Sequence, residues 1–418
     1  MGRVRDTAER LWQGEGETQM SPLAIFAGLE QLTEGVAFVA SFCNVIGFAT
    51  DEGLVVVDTG SPLTGKTSAL ALREWLDELG ANARVHTVVY THGHIDHVMG
   101  VSAFEEEGPA RVVAHRAIED RFDRYVLTAG YNAAINKRQF RLPGFEWPTQ
   151  YRRPDVTYER ELDLDVGGRR FALRHDRGET DDHTWVWVPE AKALCTGDLF
   201  IWASPNCGNP QKAQRYPREW AAALRKMARL DAALLLPGHG PPILGEERVR
   251  QALTETAELL ETLVEQTLRW MNEGAPLDVV VQKVKAPERL LRRPYLRPVY
   301  DDPEFVVRNL WRLYGGWWDG DPAELKPAPR TELAEEIAEL CGGASKLARR
   351  ALDLSDADEH RLACHLAEMA FRADPHDRKI RALRADVYRR RMESETSLMA
   401  KSVYRDAASE KKPDRGFS

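Results

Sequence analysis

Three histidines and one carboxylate crowd into six positions of Thr91-His92-Gly93-His94-Ile95-Asp96-His97-Val98-Met99-Gly100. Imidazoles joined by a carboxylate, with no thiolate nearby, favour zinc over iron or manganese. His92 and His94 are two apart and project to one side of an extended backbone, whereas Asp96 and His97 can turn towards a second point. Two metal ions would satisfy that spacing. The β-branched run 85–90 that precedes the cluster reads as a buried strand, so the cluster sits on the loop where that strand ends.

The spacing resembles the HxHxDH signature of the metallo-β-lactamase superfamily, which implies an αββα sandwich with further ligands at other strand ends. The sequence offers them. His183 leads into the apolar run 184–188, Asp198 ends the run 193–198, and His239 ends 234–239 between Gly238 and Gly240. Small neighbours let a histidine approach a metal closely. Counting candidates assigns His92, His94 and His183 to one zinc and Asp96, His97 and His239 to the other, with Asp198 bridging. Each ion then has about four ligands once a shared hydroxide is included. Flavodiiron members of the superfamily replace the second histidine of the cluster by glutamate, so His94 speaks for zinc hydrolysis. Two dications beside one water lower its pKa towards about 7. Asp96 is expected to orient that water or take its proton, and Asp58 to support a ligand by a hydrogen bond.

Between Asp198 and His239, the loop 202–216 carries Asn206, Asn209, Lys212 and Arg215. Arginine forks onto the oxygens of carboxylate, phosphate or sulfate, so the loop reads as an anion site. The polar and aromatic stretch 119–160, with Asn136 and Arg138, reads as an insertion capping the site.

The elements that hold these residues follow from patterning. Runs at 35–40, 43–49 and 53–58 predict an antiparallel meander, and 61–80 a helix with Leu70, Leu72, Trp75, Leu76 and Leu79 as its stripe. Residues 161–175 predict a hairpin turning at Gly167-Gly168. Residues 1–33 are expected to be a helical extension, 34–245 the catalytic domain, 246–405 a helical domain and 406–418 a disordered tail. In the helical domain Leu333, Ile337, Leu340 and Leu347 offer a packing stripe. Leu313-Tyr314-Gly315-Gly316-Trp317-Trp318-Asp319-Gly320-Asp321-Pro322-Ala323, followed by Cys341-Gly342-Gly343-Ala344 and Ala373-Asp374-Pro375, resembles the alkyl sulfatase dimerisation domain. The resemblance implies a homodimeric zinc hydrolase of sulfate esters with an aliphatic tail. Alkyl sulfatases generally use glutamates where this chain has His183 and Asp198, so the ligand set looks like that of the wider superfamily.

At 418 residues the chain exceeds one ordinary core. Its 57 basic and 65 acidic residues give a net charge of −8 with no long basic block, which disfavours nucleic acid as a partner. No stretch of about 18 apolar residues offers a membrane span, and the start lacks the pattern of an export signal. Five scattered cysteines suit a reducing compartment, so the expected location is cytoplasmic. The predicted function is cleavage of an ester to an anionic product by metal-bound hydroxide, an alkyl sulfate first. A thioesterase or lactonase of the glyoxalase II kind is the alternative. A metal-holding scaffold or sensor is a third reading, favoured only if residues 119–160 fill the site.

Overall fold

The computed structural model describes residues 3–15, 26–82 and 84–409. A seven-stranded sheet is laid down in chain order, with β1 (Gly28–Thr33), β2 (Val36–Ala40), β3 (Val45–Thr50) and β4 (Gly53–Val57) antiparallel. Parallel pairing then adds β5 (Val85–Val89), β6 (Arg111–His115) and β7 (Val156–Tyr158). The second sheet holds β8 (Glu161–Val166), β9 (Arg169–His175), β10 (Thr184–Val188), β11 (Ala193–Ile201), β12 (Leu234–His239) and β13 (Ile243–Leu244). Its one parallel pair is β11 with β12.

Strand periodicity sorts the side chains between layers. In β4, Val55 and Val57 face the second sheet, in one cluster with Phe171, Val186 and Leu194. Leu54 and Val56 face outward onto Leu72 and Leu76 of the helix Gly65–Leu79. Helices Pro217–Met227 and Glu246–Asn272 cover the second sheet with Trp220, Leu224, Leu253 and Leu260. The result is an αββα sandwich. Leu72 is fully buried whereas Leu70 and Leu79 are exposed, because the stripe on this helix is narrower than its leucine content. Leu72→Ala is expected to cost about 2–5 kcal/mol in chemical denaturation, and Leu79→Ala within about 0.5 kcal/mol.

Several boundaries differ from the sequence reading. Residues 28–33 are not helical; they form the edge strand β1, in which Leu32 alone is buried, so the chain shows no apolar alternation there. Residues 156–158 belong to the sheet as β7, and the capping stretch reduces to the helices Ala117–Leu127 and Ala129–Phe140 with the loop after them. The helix Glu246–Asn272 packs into the main core, which extends to Leu310. The helices between Arg330 and Glu393 form clusters of their own, built on Ala338, Ala348, Ala351, Ala363, Ala367 and Ala370. These small faces pack closely, which leaves Leu333 and Leu340 exposed rather than in a stripe. Asp406 and Ala407 close the helix Leu398–Ala407, and residues 410–418, assigned to the tail, lie outside the described residues.

Candidate metal centre

The carboxyl ends of β4, β5, β11 and β12 meet at one edge of the sandwich. Beyond β5 the chain bends at Thr91 and His92, is extended at His94 (φ −71°, ψ 145°) and then turns into the short helix Ile95–Val98, which carries Asp96 and His97. Nε2 of His92 lies 2.7 Å from Nδ1 of His94. Glu179 Oε2 is 3.3 Å from that His94 nitrogen and 3.6 Å from His92 Nε2, and Asp198 Oδ2 is 4.0 Å from the latter. A second group forms around Asp96 Oδ2, which is 3.9 Å from His97 Nε2 and 3.4 Å from His239 Nε2. Asp198 stands between the groups, with Oδ1 at 3.4 Å from His97 and Oδ2 at 3.5 Å from His239.

Five of these eight spacings, those at 3.3–3.6 Å, suit ligands of a common cation, while His92 and His94 at 2.7 Å would have to part slightly. Ligand arms of 2.0–2.2 Å in a tetrahedron are separated by about 3.3–3.6 Å. His97 Nε2, Glu179 Oε2 and Asp198 Oδ1 are buried and lack hydrogen-bond partners, an arrangement that is costly unless a cation satisfies it. Burial drives His92 well below the ordinary histidine value, helped by His97 and His94. At His239 burial is outweighed by Asp198 and Asp96, and the ring is pushed up to about 10. His97 is likewise raised against its burial, by Cys43 first and then by Asp198, Asp58 and Asp96. The site thus concentrates negative charge, and a divalent cation would displace the protons on these rings.

His183 does not join either group. Its Nε2 faces the Thr196 carbonyl at 3.2 Å, and its ring stacks on His92 with centroids 4.5 Å apart. The chain reversal between β9 and β10 presents Glu179 instead. Sequence reasoning missed it and took His183, four residues further on, as the ligand. His115, at the end of β6, stacks on His175 at 3.5 Å and stays outside both groups.

The supports around the ligands are specific. Asp58 Oδ2 is 2.7 Å from His97 Nδ1, and the same carboxylate accepts hydrogen bonds from the Thr91 N–H and hydroxyl, both at 2.8 Å. Removing such a partner typically costs 10–100-fold in metal affinity. Asp58→Ala is expected to weaken zinc binding by about that factor in a chelator competition. His239 Nδ1 contacts the Phe42 carbonyl, and Cys43 Sγ lies 3.3 Å from His97 Nδ1. Any Cβ at Gly238 would fall 2.2 Å from Asp198 Oδ1 and 3.0 Å from His97 Cε1.

The loop proposed to hold an anion is largely committed to holding Glu179. Arg215 is buried, pairs with Glu179 Oε1 at 3.0 Å and donates to the Glu179 carbonyl, while Asn206 Nδ2 donates to Oε1. This turns Oε2 towards the histidines. Asn209 donates to Met399 Sδ at 3.1 Å, Asn136 to the Asn132 carbonyl at 2.8 Å, and Arg138 to Gln211 Oε1. Lys212 alone among these six lines the cavity over the site without a carboxylate partner among the described residues. Burial, and then Arg215, lower its ammonium to about 8.

The helical region braces this loop. The Asp301 carboxylate accepts from Gly208 N at 2.6 Å, and the Asn309 side chain accepts from Gln214 Nε2 at 2.8 Å and donates to the Arg215 carbonyl at 3.1 Å. Gly208 packs so tightly that a Cβ would lie 2.1 Å from the Phe305 carbonyl carbon.

The sandwich is that of the metallo-beta-lactamase superfamily, whose model matches residues 37–239. The alkyl sulfatase dimerisation model matches residues 277–413. A linear primary-alkylsulfatase of Pseudomonas sp. (strain ATCC 19151) is 30% identical over 365 residues, covering 81% of this chain and 68% of that protein. An (R)-specific secondary-alkylsulfatase of Pseudomonas sp. is 27% identical over 368 residues, 80% of this chain and 55% of that one. The chain therefore spans roughly half to two thirds of the length of these relatives. The solved structure of a stereoselective inverting sec-alkylsulfatase from Pseudomonas sp. superposes with a TM-score of 0.81 at 24% identity, covering 93% of this chain and 67% of that one. The chain belongs to the alkylsulfatase family, a branch of the metallo-beta-lactamase hydrolases, and carries the sandwich followed by a helical region that its sequence predicts.

Proposed function

We propose that this chain hydrolyses sulfate esters with two zinc ions, one held by His92, His94 and Glu179, the other by Asp96, His97 and His239, with Asp198 between them. The observation that carries the reading is the position of Asp198, whose two oxygens face both groups at 3.4–4.0 Å. Zinc in these places supplies a water acidified towards about pH 7 and Lewis-acid polarisation of the ester oxygens. Within the chain, Asp96 is the most exposed carboxylate of the two groups, and we assign it to orient the water and receive its proton. We assign Lys212 to meet the sulfate oxygens, and Arg215 and Asn206 to hold Glu179 in register. Trp317, Trp318 and Leu325 are exposed within the segment that matches the dimerisation model, which supports a homodimer.

A thioesterase or lactonase of the glyoxalase II kind shares His183 and Asp198 as ligands; Asp198 fits that reading, whereas His183, facing the Thr196 carbonyl at 3.2 Å, does not support it. The scaffold reading required a filled site, whereas a cavity of about 270 Å³ opens over it. The test is sulfate release by zinc-loaded protein from a panel of sulfate esters, with a thioester and a lactone alongside. Activity on sulfate esters that disappears with a chelator and returns with zinc is the expected result. Cleavage of only the thioester or lactone would overturn the assignment.

A further inference from the structure

The cavity that borders the first ligand group at His94 and Glu179 has no aliphatic lining apart from Pro210 and Ala213. Five cations surround it, Arg121, Arg124, Lys212, Arg215 and Arg312, against the single carboxylate of Glu179. Two of the five are already neutralised. Arg121 pairs with Asp181 and, at 2.8 Å, with Asp182, and Arg215 pairs with Glu179. Arg124, Lys212 and Arg312 have no ion pair among the described residues. Each is held by uncharged groups instead: Arg124 over the Tyr125 ring at 4.9 Å, Lys212 over Trp147 at 5.6 Å, and Arg312 by Gln214 Oε1 at 3.0 Å. They come from three separate segments, the capping helix Ala117–Leu127, the loop after β11 and the helix Pro303–Gly315.

A sulfate monoester brings one negative charge, which one of these cations and the metal groups suffice to meet. An alkyl tail gains about 0.8 kcal/mol per methylene only where it meets apolar surface, and the walls here are arginine, lysine, amide, hydroxyl and tyrosine. The volume, about 270 Å³, lies at the small end for ligand sites. We infer that the preferred sulfate ester has a short organic part bearing an anionic group of its own, which Arg124 and Arg312 bind while Lys212 takes the sulfate. This inference rests on the sulfatase reading and narrows its substrate.

Three esters test it on the zinc-loaded full chain: 4-sulfooxybutanoate, butyl sulfate of the same chain length, and octyl sulfate. Sulfate release gives kcat/KM, and calorimetry gives binding independently. The dianion is expected to be preferred over butyl sulfate by about tenfold or more, a preference that shrinks with added salt. In Arg124→Gln and in Arg312→Gln that ratio is expected to fall towards unity. A rise in kcat/KM from butyl to octyl sulfate, or a preference untouched in both variants, would overturn the inference. If none of the esters is cleaved, the sulfatase reading fails; tighter calorimetric binding of the dianion would still support the cationic site, and equal binding would sink both.

Discussion

With two zinc ions held as proposed, Glu179→Ala is expected to leave one per chain and to lower turnover by at least about 10³-fold, because a metal ion's charge stabilisation is worth several kcal/mol. The matched variant is His183→Phe, which keeps a ring stacked on His92 but has no ligand nitrogen. It is expected to retain both metals and lose only about 1–3 kcal/mol of stability, from the Thr196 carbonyl left without its partner. Metal analysis by plasma mass spectrometry on the two proteins separates the alternatives directly. The reverse pattern, with metal lost from His183→Phe and kept in Glu179→Ala, would restore the histidine as the ligand.

Gly238→Ala should be nearly as damaging, although it removes no functional group. Its new methyl group would occupy the place of Asp198 Oδ1, 2.2 Å away, and press on the His97 ring. Asp198 would have to move, and misplacements of about 1 Å in such a constellation cost on the order of 10²-fold. Steady-state kinetics with metal content on the same sample give the readout. Unchanged kcat with two zinc ions bound would show that Asp198 has room the geometry does not reveal.

The site was legible where its logic is local. The spacing of His92, His94, Asp96 and His97 is written in six consecutive positions, and Asp198 and His239 were found because they end short apolar runs that read as strands. Asp58 was recognisable for the same reason. Glu179 was not, since its role depends on a reversal between two strands and on Arg215, 36 residues further on, which holds one of its oxygens. Arg215 itself was read as holding the anion of the substrate, because nothing local in the sequence ties it to Glu179. Only the fold shows it buried against a carboxylate. The sandwich was visible through its apolar runs, but β1 carries too little buried surface to announce itself, and the alanine faces of the late helices look weaker in sequence than the leucines that turn out to be exposed.

Asp301 and Asn309 brace the loop that carries Asn206 and Arg215, and that loop aims Glu179. Seating of the helical region and occupancy of the metal groups are therefore linked equilibria, and linkage is reciprocal. If seating the region raises zinc affinity by some factor, zinc raises the stability of that seating by the same factor. Metal withdrawal should thus be felt first as increased hydrogen exchange in the helix Pro303–Gly315, in a different part of the chain from the ligands themselves.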